Sequence, residues 1–240
     1  MAGFGEQKKN KKNIAQRKPR AAGEALHKRA MDYHIQGDLI SAEKAYREAI
    51  KAGHLNCGIF SNLGIICQAS GRQNEAISLY KKAAEISPEH PNAYTNLGSL
   101  YKELGNLDQA LTYTLKSLNL KPDNPDALIN LGSIYKGLGN LDQALNYTLK
   151  SLNLKPDNPE ALMNLGNIYK DLGNLDQALE STLHSLNLKP DNPDALLNAG
   201  GIYKALGNLD QALNYTLKSL EFKPDNADAL LNLGGIYKDL

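Results

Sequence analysis

Along most of this chain the apolar residues return at spacings of three, one and three. Between Pro125 and Asn158, Leu128, Leu131, Gly132 and Tyr135 follow that rhythm, which lays them on one stripe of a helix. Asn124 is placed to cap this helix, Pro125 suits its first position, and Asp126 favours the positive end of its dipole. Gly139 supplies the left-handed backbone that ends it. A second helix restarts at Asn140, with Gln143 three residues on as in a capping box, and its own stripe is Leu141, Ala144, Leu145, Thr148 and Leu152. Lys155-Pro156-Asp157-Asn158 breaks it, because proline removes a backbone donor and forces its predecessor extended. The pattern predicts a helical hairpin with short turns.

That hairpin is one of a series. Blocks of 34 residues begin at Gly23, Cys57, Pro91, Pro125, Pro159 and Pro193, giving 23–56, 57–90, 91–124, 125–158, 159–192 and 193–226, with a half block over 227–240. A fixed period of this length marks stacked repeats. One hairpin cannot bury both of its stripes, but stacked neighbours build a continuous core. The small Gly132 and Ala144 let paired helices approach closely. The expected fold is all-α: a right-handed α-solenoid of antiparallel helical hairpins with a concave and a convex face.

Leu-Gly at block positions 7 and 8, Tyr at 11, Gly at 15, Ala at 20 and Pro at 32 stand here as Leu131, Gly132, Tyr135, Gly139, Ala144 and Pro156. This pattern resembles the tetratricopeptide repeat family over residues 23–240. Leu128 stands at position 4 where the family often has Trp, Thr148 at 24 where it has an aromatic, and Ser151 at 27 where it has Ala. These departures are expected to loosen packing between hairpins without threatening the fold.

The block at Pro159 differs from that at Pro125 at positions 2, 5, 9, 13, 22, 23 and 26. Positions 2, 6, 9 and 13 form a stripe opposite the buried one, with 5 at its margin, so the edits concentrate on the face expected to line the inside of the spiral. Selection for recognition and drift on a solvated surface both produce such a pattern. Position 5 offers an apolar strip of Ile129, Met163, Leu197 and Leu231. Position 6 is always asparagine after the first block: Asn62, Asn96, Asn130, Asn164, Asn198 and Asn232. The divergent block at Cys57 keeps it, although only seven of its 34 positions match the next block.

An asparagine amide can pair with both the N–H and the C=O of an extended peptide, so this row is a candidate ladder for peptide backbone; the alternative is local bonding to neighbouring helices. The array resembles the repeat region of the O-linked N-acetylglucosamine transferases, and that resemblance implies a concave asparagine ladder holding protein segments. A second row at position 12, Lys102, Lys136, Lys170, Lys204 and Lys238, can attract acidic side chains of a bound segment, pair with position 2 acids such as Asp126 and Glu160, or point into water.

Composition then narrows the function. Nothing suggests a disulfide scaffold or a membrane span. Cys57 and Cys67 are only two, Cys67 falls on the buried stripe, and a cytoplasmic location is the default. Residues 1–22 carry seven Lys or Arg against Glu6, leaving 20 basic and 25 acidic residues elsewhere. This segment is expected to be a disordered basic arm, either a solubilising tail or a weak contact for nucleic acid, anionic lipid or an acidic protein. No phosphate-binding loop, zinc-ligand spacing, nucleophile elbow or carboxylate pair appears, so no enzyme activity, cofactor or metal is expected within residues 1–240. His27 and His34 share a face but lack a third ligand, and the Asn146 and Asn214 sequons are read as incidental.

The half block leaves Leu230, Leu233 and Tyr237 without a covering helix, which is read as a makeshift cap, a site of self-association, or the edge of a longer protein. Near-identical bacterial arrays resemble regions that precede a glycosyltransferase or sulfotransferase domain. The reading is therefore a scaffold binding an extended protein segment on its concave face; the alternative is the substrate-selecting region of a larger transferase.

Overall fold

The computed structural model describes residues 21–240. The expected basic arm lies outside the described residues except for Ala21 and Ala22, which already belong to the first helix rather than to an arm. The described residues form helices only: α1 (21–35), α2 (Leu39–Lys51), α3 (Cys57–Ala69), α4 (Gln73–Ile86), α5 (Pro91–Glu103), α6 (Leu107–Leu120), α7 (Pro125–Gly137), α8 (Leu141–Leu154), α9 (Pro159–Asp171), α10 (Leu175–Leu188), α11 (Pro193–Ala205), α12 (Leu209–Phe222) and α13 (Ala227–Asp239). This is an all-α repeat solenoid in which the blocks at Cys57, Pro125, Pro159 and Pro193 each give a pair of packed helices. The described residues divide into two compact units, 21–104 and 105–240, so the block beginning at Pro91 contributes α5 to the first and α6 to the second.

Turn chemistry sets the boundaries. Gly139 and its counterpart Gly173 have φ of +77° and +78°, the conformation that ends α7 and α9. Asn158 caps α9 by accepting from the backbone N–H groups of Glu160 and Ala161 at 3.0 and 3.2 Å, and Pro159 follows at the first helical position. Asn140 caps α8 by accepting from the Gln143 N–H at 3.1 Å.

The core of the second unit runs between successive hairpins. Leu131 is fully buried, as the stripe predicts, but so are Ile134, Ile168, Ile202 and Ile236 at position 10, which the expected stripe did not contain. Tyr135 is only half-buried and stacks on Tyr147, ring centroids 5.6 Å apart. Position 5 also differs from expectation. Ile129 is buried, packing with Leu152, Leu162 and Leu165 of the next contact, and Met163 packs against the cluster of Leu186 and Leu196. The apolar strip thus serves largely as packing between hairpins, where an i,i+3 row meets its neighbour. Only Leu231 stays widely exposed.

The departures at positions 24 and 27 make contacts within the hairpin. The Ser151, Ser185 and Ser219 hydroxyls donate to the carbonyls of Pro125, Pro159 and Pro193 at 3.0, 2.7 and 2.8 Å, tying the second helix of each hairpin to the start of the first. The threonines Thr148, Thr182 and Thr216 lie directly against Gly132, Gly166 and Gly200. A Cβ at those glycines would strike the threonine Oγ1, so small residues at position 8 are what admit a side chain there.

Candidate functional site

The first helices of the blocks in the second unit, α7, α9, α11 and α13, present positions 2, 6, 9, 12 and 13 along one side. Asn130 and Asn198 are buried, at 6% and 4% exposure, whereas Asn164 and Asn232 are half-buried. Two of these amides reach the second helix of the preceding hairpin. Asn198 Nδ2 donates to Thr182 Oγ1 at 3.0 Å and Asn232 Nδ2 to Thr216 Oγ1 at 2.9 Å, so position 6 of one block reaches position 24 of the block before. In the first unit Asn62 Nδ2 donates to Tyr46 Oη at 3.0 Å, the same relation with an aromatic hydroxyl, and Asn96 is half-buried on α5. Asn164 turns instead to Ser133 Oγ at 2.8 Å, and Thr148 Oγ1 is left buried without a partner. One N–H of the two is thereby engaged, which fixes the amide's orientation and leaves further hydrogen-bonding capacity on the same group.

Lys136 and Lys204 pair with position 13 rather than with position 2. Lys136 Nζ lies 2.9 Å from Asp171 Oδ2, and Lys204 Nζ lies 3.3 Å from Asp239 Oδ2, so position 12 bonds to position 13 of the following block. In the first unit Gln68 Nε2 donates to Glu103 Oε2 at 2.7 Å, the same link without a cation. At Lys204 a small residue at position 9 of the following block makes the passage possible. A Cβ at Gly235 would strike Lys204 Nζ, and one at Gly201 would stand 3.9 Å from Lys170 Nζ.

Lys170 breaks the rule, because position 13 of its successor is Ala205. Its Nζ donates to Asn198 Oδ1 at 3.1 Å. Burial holds this ammonium below the ordinary lysine range; Asp171 opposes the shift and Lys136 adds to it. Beside it opens a pocket of about 320 Å³ lined by Lys170, Asn198, Asn232, Leu197, Asp194 and Asp228, together with Asn167 and Gly201. These are positions 12, 6, 5, 2 and 9 of three successive blocks. Lys102 lies half-buried on α5, and Lys238 is exposed on α13.

In the first unit a smaller pocket of about 230 Å³ is lined by Met31, His34, Ile35, Tyr46 and Asn62. His34 Nδ1 approaches Tyr46 Oη at 3.4 Å, and His27 lies against His54 with ring centroids 5.4 Å apart. No cluster of three metal-ligating side chains occurs among the described residues. Burial pushes the Cys67 thiol up to about 11, as befits a core residue. No described helix is long and apolar enough to cross a membrane.

Asp171 and Asp239 were not foreseen as lysine partners. Their signal was present as an opposite charge 35 residues downstream, one block plus one position, and the neutral Gln68 bonds Glu103 at the same spacing. The charged group Glu43, Arg47, Arg72 and Glu75 was missed as well. Arg47 donates to Glu43 and Glu75 at 2.7 and 2.6 Å, and Arg72 donates to Glu43 at 2.7 Å, joining α2 to the start of α4.

Comparison with known proteins agrees with this architecture. A family model described as TPR repeat matches residues 64–105 and 166–207, and models described as tetratricopeptide repeat match 89–157, 147–180 and 193–226. Among solved structures, the Cut9–Hcn1 hetero-tetramer of the APC/C superposes with a TM-score of 0.82 at 19% identity, covering 92% of this chain, which spans 46% of that one. A thermophilic TPR protein from Thermus thermophilus gives 0.65 at 25% identity, over 76% of this chain and 99% of that one. YrrB, described as a TPR protein with an unusual peptide-binding site, gives 0.55 at 26% identity, over 83% of this chain and 100% of that one. No curated protein matches the chain in sequence.

Proposed function

Because the chain belongs to the tetratricopeptide repeat family, we propose that it is a non-catalytic scaffold that binds an extended protein segment along the row of its first helices. The observation that carries this reading is the pocket of about 320 Å³ that opens on three successive blocks and contains two of the position 6 asparagines, Asn198 and Asn232. Side-chain amides at a fixed repeat suit a ligand that itself repeats, and the peptide backbone offers an N–H and a C=O at every residue. A backbone-directed row favours extended segments over folded surfaces. YrrB supports the choice of a peptide as ligand, since that neighbour is described by its peptide-binding site.

The inward bonds refine how the row works. Asn62, Asn198 and Asn232 are held by the hydroxyl of the preceding hairpin and so enter binding already oriented, which reduces the entropy lost when a segment docks. Asn96, Asn130 and Asn164 continue the series. In the second unit Lys136, Lys204 and Lys238 stand at position 12 beside it. In this reading the array selects and holds a segment; transfer chemistry such as that of the O-linked N-acetylglucosamine transferases would belong to another domain.

The test is a selection of displayed heptapeptides on the full chain, followed by affinity measurement on the Asn164→Ala/Asn232→Ala variant. These two asparagines are half-buried, so their loss perturbs folding less than loss of the buried pair. Selected peptides are expected to bind the variant about tenfold more weakly, as follows from losing hydrogen bonds in a partly desolvated groove. Undiminished affinity in a variant with an unchanged circular dichroism spectrum overturns the ladder.

A further inference from the structure

In the second unit the lysine row behaves as a set of sockets for carboxylates, and the one at Lys170 is empty of its usual occupant. Lys136 and Lys204 each take a carboxylate from position 13 of the next block. At Lys170 the corresponding residue is Ala205, whose side chain has nothing to offer. The ammonium instead takes a neutral amide oxygen, Asn198 Oδ1, and the pocket of about 320 Å³ lies against it. We propose that Lys170 is a subsite for the side-chain carboxylate of a glutamate or aspartate in the bound segment, which takes the place that Asp171 occupies on Lys136 and Asp239 on Lys204.

This rests on the groove reading above and gives it a side-chain preference. An ammonium bonds a carboxylate more strongly than a neutral amide oxygen, because both partners then carry opposite charge, so an incoming carboxylate exchanges a poorer partner for a better one. The exchange also releases Asn198 Oδ1 to accept a backbone N–H of the same segment, so the two events favour each other. Burial depresses the Lys170 ammonium, and a paired carboxylate relieves that condition. The charged groups facing the pocket are Lys170 from α9, Asp194 from α11 and Asp228 from α13. The two aspartates sit in the first turns of their helices, where the dipole offsets part of their charge, and they call for donors on the segment. The matching ligand thus carries a carboxylate at Lys170, with amide, hydroxyl or ammonium donors beside it.

Position 13 provides a test that leaves Lys170 untouched. Ala205→Asp copies the arrangement at Asp171 and Asp239, so the variant is expected to fold and to fill the socket from within. The probes are two acetylated and amidated heptapeptides of serine, threonine and valine, one with a central glutamate and one with glutamine there, plus the glutamine peptide with a free C-terminal carboxylate.

The glutamate peptide is expected to bind the native chain about tenfold more tightly than the glutamine peptide, and this preference is expected to vanish in Ala205→Asp. Asp171→Ala is expected to open a second such site at Lys136. If both amidated peptides bind equally well, the carboxylate subsite is wrong while the groove stands. Selective gain by the free C-terminus alone assigns the socket to chain ends and overturns the side-chain reading. If no peptide binds, the groove reading fails, and N-acetylglutamate amide decides the subsite by itself. A Lys170 13Cε signal that responds to it in the native chain and not in Ala205→Asp supports the socket, and an unmoved signal overturns it.

Discussion

At the scale of single residues, the repeat lets one substitution be compared with itself in two surroundings. A Cβ at Gly166 would collide with Thr182 Oγ1 and stand 3.1 Å from the Ala178 carbonyl, whereas at Gly234, the same block position, nothing lies within 4 Å. Gly166→Ala is expected to cost about 1–3 kcal/mol through overpacking. Gly234→Ala is expected to add about 0.5–1 kcal/mol, because alanine loses less backbone entropy in a helix. Urea titrations of the two variants check the opposite signs. Threonine at position 24 gives a second contrast. Thr182 Oγ1 accepts from Asn198, so Thr182→Val strands a buried donor and is expected to cost about 1–3 kcal/mol. Thr148 Oγ1 is buried and unpartnered, so Thr148→Val is expected to be neutral or stabilising in the same titration.

At the scale of helices and hairpins, boundaries were the most legible part of the sequence. Asn124, Pro125, Gly139 and Asn140 act locally, and local chemistry is what a linear reading can follow. Asn158→Ala, which removes the acceptor for two backbone donors at the start of α9, is expected to cost about 1 kcal/mol, seen as earlier loss of helical signal on heating. The contents of the faces were less legible. Periodicity placed Ile129 at the margin of an open surface, but the following hairpin covers it through Leu162 and Leu165. It likewise omitted Ile134, which is completely buried. A helical wheel shows one helix, and Ile129 is decided by the next. The asparagine row was found from its regularity, yet the hydroxyls that hold Asn62, Asn198 and Asn232, each 16 residues earlier, were invisible until the hairpins were stacked.

At the scale of the whole molecule, the two units differ in how charge supports them. In the first, the Arg72 hydrogen bond, aided by Arg47 against the opposing effect of burial, lowers the Glu43 carboxyl to about 2. The folded value lies below the unfolded one, so this contribution is complete above about pH 5 and is lost as pH falls toward 2. Hydrogen exchange of the full chain is expected to show protection in α2–α4 falling over that window, and Glu43→Gln is expected to flatten the fall while lowering protection at pH 7. In the second unit the charges follow the groove: an acid at position 13 after Lys136, none after Lys170, and an acid again after Lys204. The covalent repeat is therefore one block, but the electrostatic repeat is two. Tandem arrays gain and lose units by unequal recombination, and here parity decides the outcome. Deleting two adjacent blocks preserves the alternation, whereas deleting one joins two like neighbours and leaves a register in which no lysine, or two in succession, stands without its acid.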